Sequence, residues 1–426
     1  MEKLYKLYKE HAIISTDSRN IVAGCLFFAL RGENFNGNHF ALQAIADGAA
    51  YAIVDDAALP AHPQFIKVID VLDTLQKLAL YHRRKLNIPI IAITGTNGKT
   101  TTKELTAQVL SAKFKVGVTQ GNLNNHIGVP LTLLSMDNAT QIGVVEMGAS
   151  HLGEIAVLCR IAEPDYGLIT NVGKAHLEGF GSLEGVKKTK GELYDFLISH
   201  NGVILFNADN PLLTDMVIER QAQRVVRYGI TINNAALLPA DTIYPFLRLS
   251  VQGYPEINTR LIGTCNTDNV LAALAVAEQF GINPEQAAMA ISRYQPSNNR
   301  SQLLQKDGYT FIMDAYNANP TSMAATIENF SCLQHTHKWA ILGDMLELGK
   351  ETAAEHQNII RLLKEKQLQN IFLVGRHFME TNNDNDFQTF LSVDDLIVHL
   401  QQYPLPQQAI ILLKGSRGVQ LEKVVQ

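Results

Sequence analysis

The sequence predicts an α/β protein built from three domains, and three observations lead to this prediction. The chain has 426 residues and a mass of 47.0 kDa, which is more than a single hydrophobic core usually supports. Short apolar runs alternate with longer helical patterns from residue 90 onward, and this is typical of a parallel sheet covered by helices. Polar breaks near residues 87 and 296 give predicted domains at 1–86, 87–295 and 296–426.

Composition excludes several classes of function. A net charge of -5 and a pI near 6.2 give no basic surface for nucleic acid. The four cysteines lie far apart without a C-x-x-C pair, so neither a disulfide scaffold nor a zinc site is indicated. The N-terminus lacks an apolar signal region, and no later run reaches the ~18 apolar residues that span a bilayer. We therefore expect a cytoplasmic protein without stable membrane insertion.

The first predicted domain is a small α/β unit. The runs GCLFFAL and YAIVD predict strands, whereas FALQAIADGAA and TLQKLALYHRRKL predict helices. Asn87-Ile88-Pro89 follows the last of these helices. Because a residue before proline is biased away from helical conformation, the first domain boundary is placed at this tripeptide.

The segment Ile90–Glu104 predicts a strand, an anion-binding loop and a helix, in that order. Its Gly-x-x-Gly-Lys-Thr pattern is a shortened form of the phosphate loop G-x-x-x-x-G-K-[ST]. Free backbone N–H groups at the start of the helix would face phosphate oxygens, and a threonine hydroxyl there could bind Mg²⁺. The alternative is a glycine turn before an ordinary surface lysine. The predicted ATP-binding residues of this segment are Gly95, Thr96, Asn97, Gly98, Lys99, Thr100 and Thr101.

Three further features of the central domain could belong to a site. Glu146 ends the apolar strand IGVVEM, where it could bind Mg²⁺ opposite Thr100 or serve as a capping carboxylate. Asn122 lies in an amide-rich loop that could bind phosphate or sugar oxygens, and a plain turn is equally compatible. His176 and Lys190 lie in a lysine-rich segment, which by composition alone indicates a structural histidine and a solvated helix face.

The last domain is predicted to be a second, Rossmann-like α/β unit. Its strands TFIMDAY, WAILGD, NIFLVG and AIILLKG alternate with helical patterns. Asp314, Asn317 and Asn319 follow the first strand, where they could contact ribose or a substrate amine, or form Asx turns. A basic helix start after the last strand would suit a carboxylate or phosphate, and its candidate residues are Lys414, Ser416 and Arg417.

Taken together, the chain resembles the Mur-type peptide ligases of bacterial cell-wall synthesis over nearly its whole length. The segments that carry the resemblance are TGTNGKTTTKE, GNLNNHIGVPLTLL, VEMGAS, TNVGKAHLEGFGS with KGE, DAYNANPTSM, LGDMLELG and LLKGSRG. The resemblance implies a central P-loop ATPase domain between an N-terminal uridine-nucleotide domain and a C-terminal ligase domain. The last three segments are most similar to members that add D-alanyl-D-alanine to UDP-N-acetylmuramoyl-tripeptide, so both compounds are the expected partners of a monomeric enzyme.

The family resemblance also assigns roles to single residues. It implies an ATP-dependent, ADP-forming amide ligase that works through an acyl phosphate with Lys99, His176 and Lys190 as catalytic residues. In the family one lysine is carbamylated and helps to hold a second Mg²⁺ ion, and Lys190 matches that lysine. The remaining matches are Thr100, Glu146 and His176 as Mg²⁺ ligands, Asn269, Arg300 and Asp314 near the nucleotide, and Ser18 and Arg19 near the uridine.

This chain departs from the family pattern at two places. Cys265 stands where a histidine often precedes the asparagine, so no adenine contact is assigned to it. Asn36 and His39 lie in an unusual Asn-Gly-Asn-His form, and no uridine contact is assigned to them.

Three other functions remain as alternatives. One is a sister ligase that adds diaminopimelate or lysine, but Asp209-Asn210-Pro211 is followed by leucine and lies outside the last domain, unlike the Asp-Asn-Pro-Arg segment of diaminopimelate ligases. Another is a folylpolyglutamate synthetase, which shares the short loop but not LGDMLELG. The third is an inactive nucleotide-binding regulator or scaffold, which would not need a second metal site.

Overall fold

The structure is a computed structural model that describes residues 1–239, 246–297, 299–382 and 386–426. Asn298, in the predicted linker at 296–299, lies outside the described residues. The predicted α/β class is confirmed, with three successive α/β units along the chain. The exact domain boundaries at 86 and 295 stay a prediction.

The first unit is a four-stranded parallel sheet in the order β1-β2-β5-β6, with a small β3–β4 hairpin beside it. A 3₁₀ turn at Gly37–Phe40 precedes its second helix. Its elements are α1 (Glu2–Glu10), β1 (Ile14–Ser15), β2 (Leu26–Phe28), β3 (Arg31–Gly32), β4 (Phe35–Asn36), α2 (Ala41–Ala46), β5 (Tyr51–Val54), β6 (Phe65–Lys67) and α3 (Val71–Leu86).

Helix α3 has clear start and stop signals. The Asp70 side chain accepts a hydrogen bond from the backbone N–H of Asp73, and Asn87 ends the helix in a left-handed conformation. The buried face of α3 includes Leu75 and Leu78, which join one hydrophobic cluster with residues of both the first and the central unit. Helix α3 is thus packed into the central unit as well as its own.

The central unit contains a six-stranded parallel sheet in the order β12-β11-β10-β7-β9-β8. A small antiparallel sheet, β13-β14-β15, was not anticipated from the sequence. The elements are β7 (Ile90–Thr94), α4 (Lys99–Leu110), β8 (Val116–Val118), α5 (Gly128–Leu134), β9 (Ile142–Glu146), α6 (Glu154–Ala162), β10 (Tyr166–Ile169), α7 (Leu177–Phe180), α8 (Leu183–Ser199), β11 (Val203–Asn207), α9 (Pro211–Glu219), β12 (Val225–Tyr228), β13 (Ala236–Leu238), β14 (Arg248–Ser250), β15 (Ile257–Asn258), α10 (Thr267–Gln279) and α11 (Pro284–Arg293).

The last unit has a mixed six-stranded sheet in the order β16-β17-β21-β18-β19-β20. Only β16 pairs antiparallel with its neighbour, and the other pairings are parallel. The elements are β16 (Gln302–Lys306), β17 (Tyr309–Asp314), α12 (Pro320–Cys332), β18 (Lys338–Gly343), α13 (Thr352–Glu365), β19 (Ile371–Val374), α14 (Arg376–Thr381), β20 (Gln388–Phe390), α15 (Val393–Gln402) and β21 (Ile410–Lys414).

Polar contacts join the central and last units. Lys174 Nζ lies 2.6 Å from Glu355 Oε1, and Asn319 Nδ2 donates to Asn97 Oδ1 over 2.7 Å. Both contacts lie at the carboxyl ends of the two sheets, where ligands gather in open α/β folds. In the described parts of the chain, no helix is long and apolar enough to cross a membrane.

Candidate active site

The carboxyl ends of β7, β9 and β10 open into a cavity of about 970 Å³. Its walls come from all three units, including Gln76 on α3, the loop after β7, and Asp314 at the end of β17. A volume of this size lies within the usual range for pockets that bind small molecules. The position matches the strand edge at which the sequence predicted a nucleotide.

The loop after β7 depends on its two glycines. Gly95 and Gly98 have φ values of 143° and 79°, and a Cβ on Gly98 would lie only 2.5 Å from Asn269 Oδ1. Asn171 fixes the loop, because its backbone carbonyl accepts from Thr96 N and its Oδ1 accepts from Asn97 N, each over 2.9 Å. The close approach to Asn269 and the left-handed backbone both require glycine.

Lys99 folds back over this loop. Its Nζ donates to Gly95 O over 2.8 Å and to Thr96 O over 3.0 Å. Burial lowers the pKa of Lys99 to about 8, with a smaller opposing effect from the carboxylate of Glu146 and a further lowering by Arg300. The ammonium group is therefore held at the loop, where it can meet a phosphate.

Thr100 and Glu146 provide two buried oxygens without hydrogen bonds. In the described chain, neither Thr100 Oγ1 nor Glu146 Oε2 has a hydrogen-bond partner, whereas Glu146 Oε1 accepts from Asn124 Nδ2 over 2.8 Å. Buried polar atoms are normally paired, and oxygen ligands suit Mg²⁺. These residues fit the predicted Mg²⁺ ion. No group of three or more His, Cys, Asp or Glu side chains suited to a metal occurs among the described residues.

Lys103 is a site residue that the sequence reasoning missed. It is buried on α4, with Nζ 3.7 Å from Glu146 Oε2 and 3.2 Å from Gly121 O. The sequence feature that could have identified Lys103 is its position one helical turn after Lys99, since residues four apart share a helix face. Asn171 and the cavity-lining Asn210 and Tyr316 were also missed, because polar residues after a strand look like ordinary turn residues.

His176 lines the same cavity as Glu146. It has a left-handed backbone with φ 49° just before α7. Its Nδ1 lies 2.5 Å from Oε2 of Glu347 in the last unit, and this contact holds the pKa of Glu347 below its usual range. The histidine thus lies at the cavity and also at the junction of two units.

Lys190 is buried in the middle of α8, with its Nζ 5.6 Å from the centre of the Phe180 ring. Burial, together with the charge of Lys99, lowers the pKa of Lys190 to about 7, and Glu154 and Glu192 oppose this shift. Its side chain is not among the described residues that line the cavity. The solvated helix face indicated by composition is wrong for this residue.

Asn269 and Arg300 both line the cavity. Asn269 is buried and accepts a hydrogen bond from Thr102 Oγ1 over 2.9 Å. The Arg300 guanidinium carbon lies 3.8 Å from the centre of the Tyr316 ring, and its buried Nε has no hydrogen-bond partner in the described chain. An unpaired guanidinium N–H at a cavity wall can bind an anion or a nucleotide.

The last unit contributes an ion pair to the cavity wall. Asp314 and Lys414 are register partners on β17 and β21, and Lys414 Nζ lies 2.8 Å from Asp314 Oδ2. The same ammonium donates to Asn317 O over 3.2 Å. Asn319 starts α12 with a capping box and contacts the phosphate loop through Asn97. The four predicted residues Asp314, Asn317, Asn319 and Lys414 all line the cavity. Their contacts hold this part of the wall in a fixed position.

The structure corrects the predicted helix start after β21. The residues that follow form a short 3₁₀ turn, Arg417–Val419, because the chain soon enters a second turn at Leu421–Val425. Ser416 is buried, and its Oγ accepts from Leu346 N over 3.0 Å. Arg417 is exposed, with its guanidinium 5.6 Å from the centre of the Tyr316 ring. A helix terminus therefore does not supply the anion site expected there.

Asn122 lines the cavity, and its contact with phosphate or sugar oxygens stays a prediction. Ser18 and Arg19 are not among the described residues that do so. They lie in a turn after β1, where Arg19 Nη2 is 2.8 Å from Asp17 Oδ2 on an exposed surface. The first unit therefore reaches the cavity through α3, and the predicted uridine residues lie apart from it.

Profiles of known families match nearly the whole chain. Residues 10–83 match the Mur ligase family catalytic domain, residues 93–277 the Mur ligase middle domain, and residues 299–417 the Mur ligase glutamate ligase domain. The UDP-N-acetylmuramoyl-tripeptide–D-alanyl-D-alanine ligase of Bacillus subtilis is 35% identical, with 97% of this chain and 92% of the relative covered. The enzyme of the same name from Escherichia coli is 34% identical at the same coverage.

Solved structures agree with these matches. The crystal structure of MurF from Acinetobacter baumannii has a TM-score of 0.86 and 30% identity, and covers 97% of this chain and 92% of that chain. The MurF ligase of Thermotoga maritima, solved in complex with ADP, has a TM-score of 0.84 and 26% identity, with 97% and 96% covered. Because identity above 30% extends over almost the full length of the relatives and the cavity residues lie within the matched regions, this chain belongs to the Mur ligase family.

Proposed function

We propose that this protein is an ATP-dependent ligase that joins D-alanyl-D-alanine to UDP-N-acetylmuramoyl-tripeptide in the synthesis of peptidoglycan precursors. The observation that carries the proposal is the cavity in which the phosphate loop, the carboxylate of Glu146 and the Asp314–Lys414 pair come together. The names of the relatives in Bacillus subtilis and Escherichia coli specify the two substrates of those enzymes.

The phosphate loop would bind the ATP phosphates. Loop N–H groups and the Lys99 ammonium offset negative charge as the γ-phosphoryl group is transferred, so the chain contributes mainly positioning and electrostatic stabilisation. Thr100 and Glu146 would hold a Mg²⁺ ion, which neutralises phosphate charge when bound. Lys103, 3.7 Å from Glu146 Oε2, keeps that carboxylate in place.

Lys190 and His176 would hold a second Mg²⁺ ion. The amine of Lys190 would add CO₂ and release a proton, which gives a carbamate with carboxylate oxygens. The buried position of Lys190 supports this role, because burial favours the neutral amine that reacts with CO₂. The cavity-lining position of His176 supports its role as a ligand.

The reaction has two chemical steps. The terminal carboxylate of the tripeptide takes the γ-phosphoryl group, which gives an acyl phosphate and ADP. The free amine of D-alanyl-D-alanine then attacks the acyl carbon, an amide bond forms, and inorganic phosphate leaves with loss of a proton from the amine. Holding both reactants in one cavity removes the entropic cost of their encounter from the chemical step.

Substrate contacts are assigned by place in the fold. Asn269, Arg300 and Asp314 would contact the nucleoside of ATP, and Asn122 would contact phosphate or sugar oxygens of a substrate. The other proposed substrate-binding residues are Ser18 and Arg19 at the uridine, and Asn317, Asn319, Lys414, Ser416 and Arg417 in the last unit.

The proposal includes the setting of the reaction. The units 1–86, 87–295 and 296–426 would act as uridine-nucleotide, ATP-binding and ligase domains. Both ATP and a UDP-linked precursor are available in the cytoplasm, so we place the enzyme there. We expect an active monomer, and light scattering during turnover checks this.

The decisive experiment measures phosphate release with each acceptor in turn. Purified chain, ATP, Mg²⁺ and UDP-N-acetylmuramoyl-tripeptide should release phosphate with D-alanyl-D-alanine. With the shorter UDP-linked dipeptide, neither diaminopimelate nor lysine should support release. Release with an amino acid but not with the dipeptide would instead establish the sister-ligase function. A folylpolyglutamate synthase of Mycobacterium tuberculosis shares only 16% identity, so that likeness concerns the fold alone.

A further inference from the structure

Two segments face each other where the central and last units meet. One is the docking loop, residues 173–178 before and within α7. The other is the docking segment, residues 344–356, which follows β18 and includes the first turn of α13. They touch through His176 with Glu347 and through Lys174 with Glu355. A Cβ placed on Gly349 would lie 3.5 Å from the Cβ of Glu178, so the two backbones are also closely apposed.

The first of these contacts joins two residues in unusual backbone conformations. His176 has φ 49° and Glu347 has φ 65°, a left-handed region that residues with a side chain seldom adopt. Such conformations persist where the surroundings hold them, and they concentrate at functional sites. The two side chains meet at 2.5 Å between Nδ1 and Oε2. The backbone conformations of His176 and Glu347 thus bring their two side chains together.

The docking segment is firmly supported from within its own unit. Leu346 N donates to Ser416 Oγ over 3.0 Å, and Met345 N donates to His356 Nε2 over 3.1 Å. The carboxylate of Asp344 accepts from two backbone N–H groups at the start of α14, each over 2.9 Å. Glu347 therefore projects from a fixed loop, and its position follows the position of the whole last unit.

We propose that Glu347 is a positioning residue for His176, and that it completes the second metal site only when the last unit is docked on the central one. This inference rests on the proposed function, which makes His176 a metal ligand. A carboxylate at Nδ1 fixes the ring orientation and keeps the proton on that nitrogen, so that Nε2 presents a lone pair. The His176 ring lines the cavity, and its Nδ1 faces Glu347.

Docking of the last unit would then determine when the second ion binds and when phosphoryl transfer can follow. A central unit without the docked last unit would hold the ATP phosphates at the loop but would lack a fixed histidine ligand. The second ion would bind tightly only after docking. Phosphoryl transfer would then be favoured after the unit that carries the Asp314–Lys414 wall has closed over the cavity.

Metal titration tests this proposal without turnover. Mn²⁺ is titrated as a spectroscopic substitute for Mg²⁺ in the presence of ADP, and free Mn²⁺ is measured by electron paramagnetic resonance. We expect two bound ions in the parent chain. Glu347→Ala should weaken the second ion by about 10- to 100-fold and leave the first unchanged, the usual effect of losing a group that orients a metal ligand. Glu347→Gln retains an acceptor oxygen and should recover part of this loss.

Glu355→Ala is the matched control, because it removes the other close ion pair of the same interface. It should leave the first Mn²⁺ affinity unchanged and weaken the second by at most about fivefold, the shift that loss of a partly exposed ion pair gives a docking equilibrium. A second readout is the ¹⁵N spectrum of the histidine rings, with His176 assigned from the signal lost in His176→Gln. The parent should show His176 with its proton on Nδ1, and Glu347→Ala should shift that signal.

The proposal is overturned if Glu347→Ala binds the second Mn²⁺ as the parent does, if the His176 signals do not change, or if the parent binds a single ion. Failure of the proposed function is seen separately, as an absence of phosphate release by the parent chain with D-alanyl-D-alanine. The titration and the histidine spectra can be read in either case.

Discussion

Lys99 is the residue at which the proposed charge-stabilising role of the loop can be tested directly. Its ammonium group is held by two loop carbonyls at the mouth of the phosphate loop, where it loses much of its hydration. We expect Lys99→Ala to lower turnover by about 10²- to 10³-fold, the typical effect of removing one preorganised charge-stabilising group. Steady-state phosphate release at saturating substrates measures the effect.

Lys113→Ala is a suitable control for this change. Lys113 is an exposed lysine whose Nζ also donates to two backbone carbonyls, those of Phe280 and Gly281, but it lies outside the cavity-lining residues of the described chain. Its replacement should leave turnover close to that of the parent. Near-normal turnover in Lys99→Ala, with an unchanged unfolding midpoint, would contradict the assignment of the loop.

Lys190 allows a test by chemical rescue. We expect Lys190→Ala to be inactive, because it removes the amine that would form the carbamate. A small carboxylate such as formate should restore part of the phosphate release by occupying the volume that the buried side chain leaves. Lys188→Ala, an exposed lysine on the same helix, should behave like the parent. Full activity of Lys190→Ala without added carboxylate would eliminate the carbamate.

Residues of the phosphate loop could be predicted from the sequence because their geometry is local. Gly95, Gly98 and Lys99 lie within five positions, and their roles follow from a strand, a turn and a helix start. The partners of Lys414 could not be predicted in this way. Its ion pair with Asp314 joins residues 100 positions apart, and only the pairing of β17 with β21 brings them together. The role of a single residue cannot be predicted from the sequence where strand order determines which residues lie beside it.

At the scale of elements, α3 joins the first and central units. Arg83 on α3 is buried, and its guanidinium donates to the carbonyls of Ala162 and Glu163 and to Asp165, each over 2.9 Å. Asp165 also accepts from Ile90 N at the start of β7. The partners of Arg83 lie at and just after the end of α6. Helix α3 is therefore fixed to the central unit by both polar and apolar contacts.

The apolar side of α3 gives a stability prediction. Leu78 is fully buried in a cluster shared by the first and central units. Leu78→Ala should destabilise this shared core by about 2–5 kcal/mol through lost burial and a residual cavity. Because the cluster spans both units, we expect them to unfold in one transition, seen by far-ultraviolet circular dichroism in urea.

The fluorescence of the single tryptophan reports on the unfolding of the last unit separately from this transition. Trp339 lies on β18 with its ring centre 5.1 Å from that of Phe372, next to a core built from residues of the last unit. Its fluorescence midpoint should be unchanged in Leu78→Ala and should shift in Leu396→Ala, since Leu396 is buried in that core. A fluorescence shift of equal size in Leu78→Ala would show that the last unit unfolds with the others.

The main strands could be predicted because each is a continuous apolar run, as in Ile90–Thr94 and Val203–Asn207, which are buried at every residue. The antiparallel sheet β13-β14-β15 was missed for the opposite reason. Its strands have two or three residues and partly exposed faces, so no apolar period is established. The 3₁₀ turn after β21 was misread as a helix, because a basic glycine segment does not determine how long the helical turns continue.

At the scale of the whole molecule, the chain gathers positive groups around a cavity although its net charge is -5. Lys99 and Arg300 come from the central unit and the segment after it, and Lys414 comes from the last unit. The proposed substrates bring phosphates and a carboxylate into the same space. The carboxylates of Glu146, Glu154, Asp268 and Asp314 line the same cavity, so binding of these substrates would depend on where single cations lie rather than on net charge.

The ion pair between Lys174 and Glu355 should affect the docking equilibrium of the last unit. Lys174 is half exposed and its partner is buried, with 2.6 Å between Nζ and Oε1. Pairs of this partly exposed kind contribute about 0–1 kcal/mol, which corresponds to at most a fivefold shift of an equilibrium. We expect Lys174→Met to increase the radius of gyration without ligands and to raise KM by up to about fivefold, with kcat close to that of the parent.

Small-angle scattering and initial rates measure these effects on the same samples. An ATP analogue and UDP-N-acetylmuramoyl-tripeptide together should return Lys174→Met to the compact profile of the parent, because ligands that bridge the units favour docking. Arg376→Ala, which removes an exposed pair within α14, should change neither quantity. If scattering and KM of Lys174→Met match those of the parent, the pair does not control docking, and the units are held together by Asn97 with Asn319 and by the contact of His176 with Glu347.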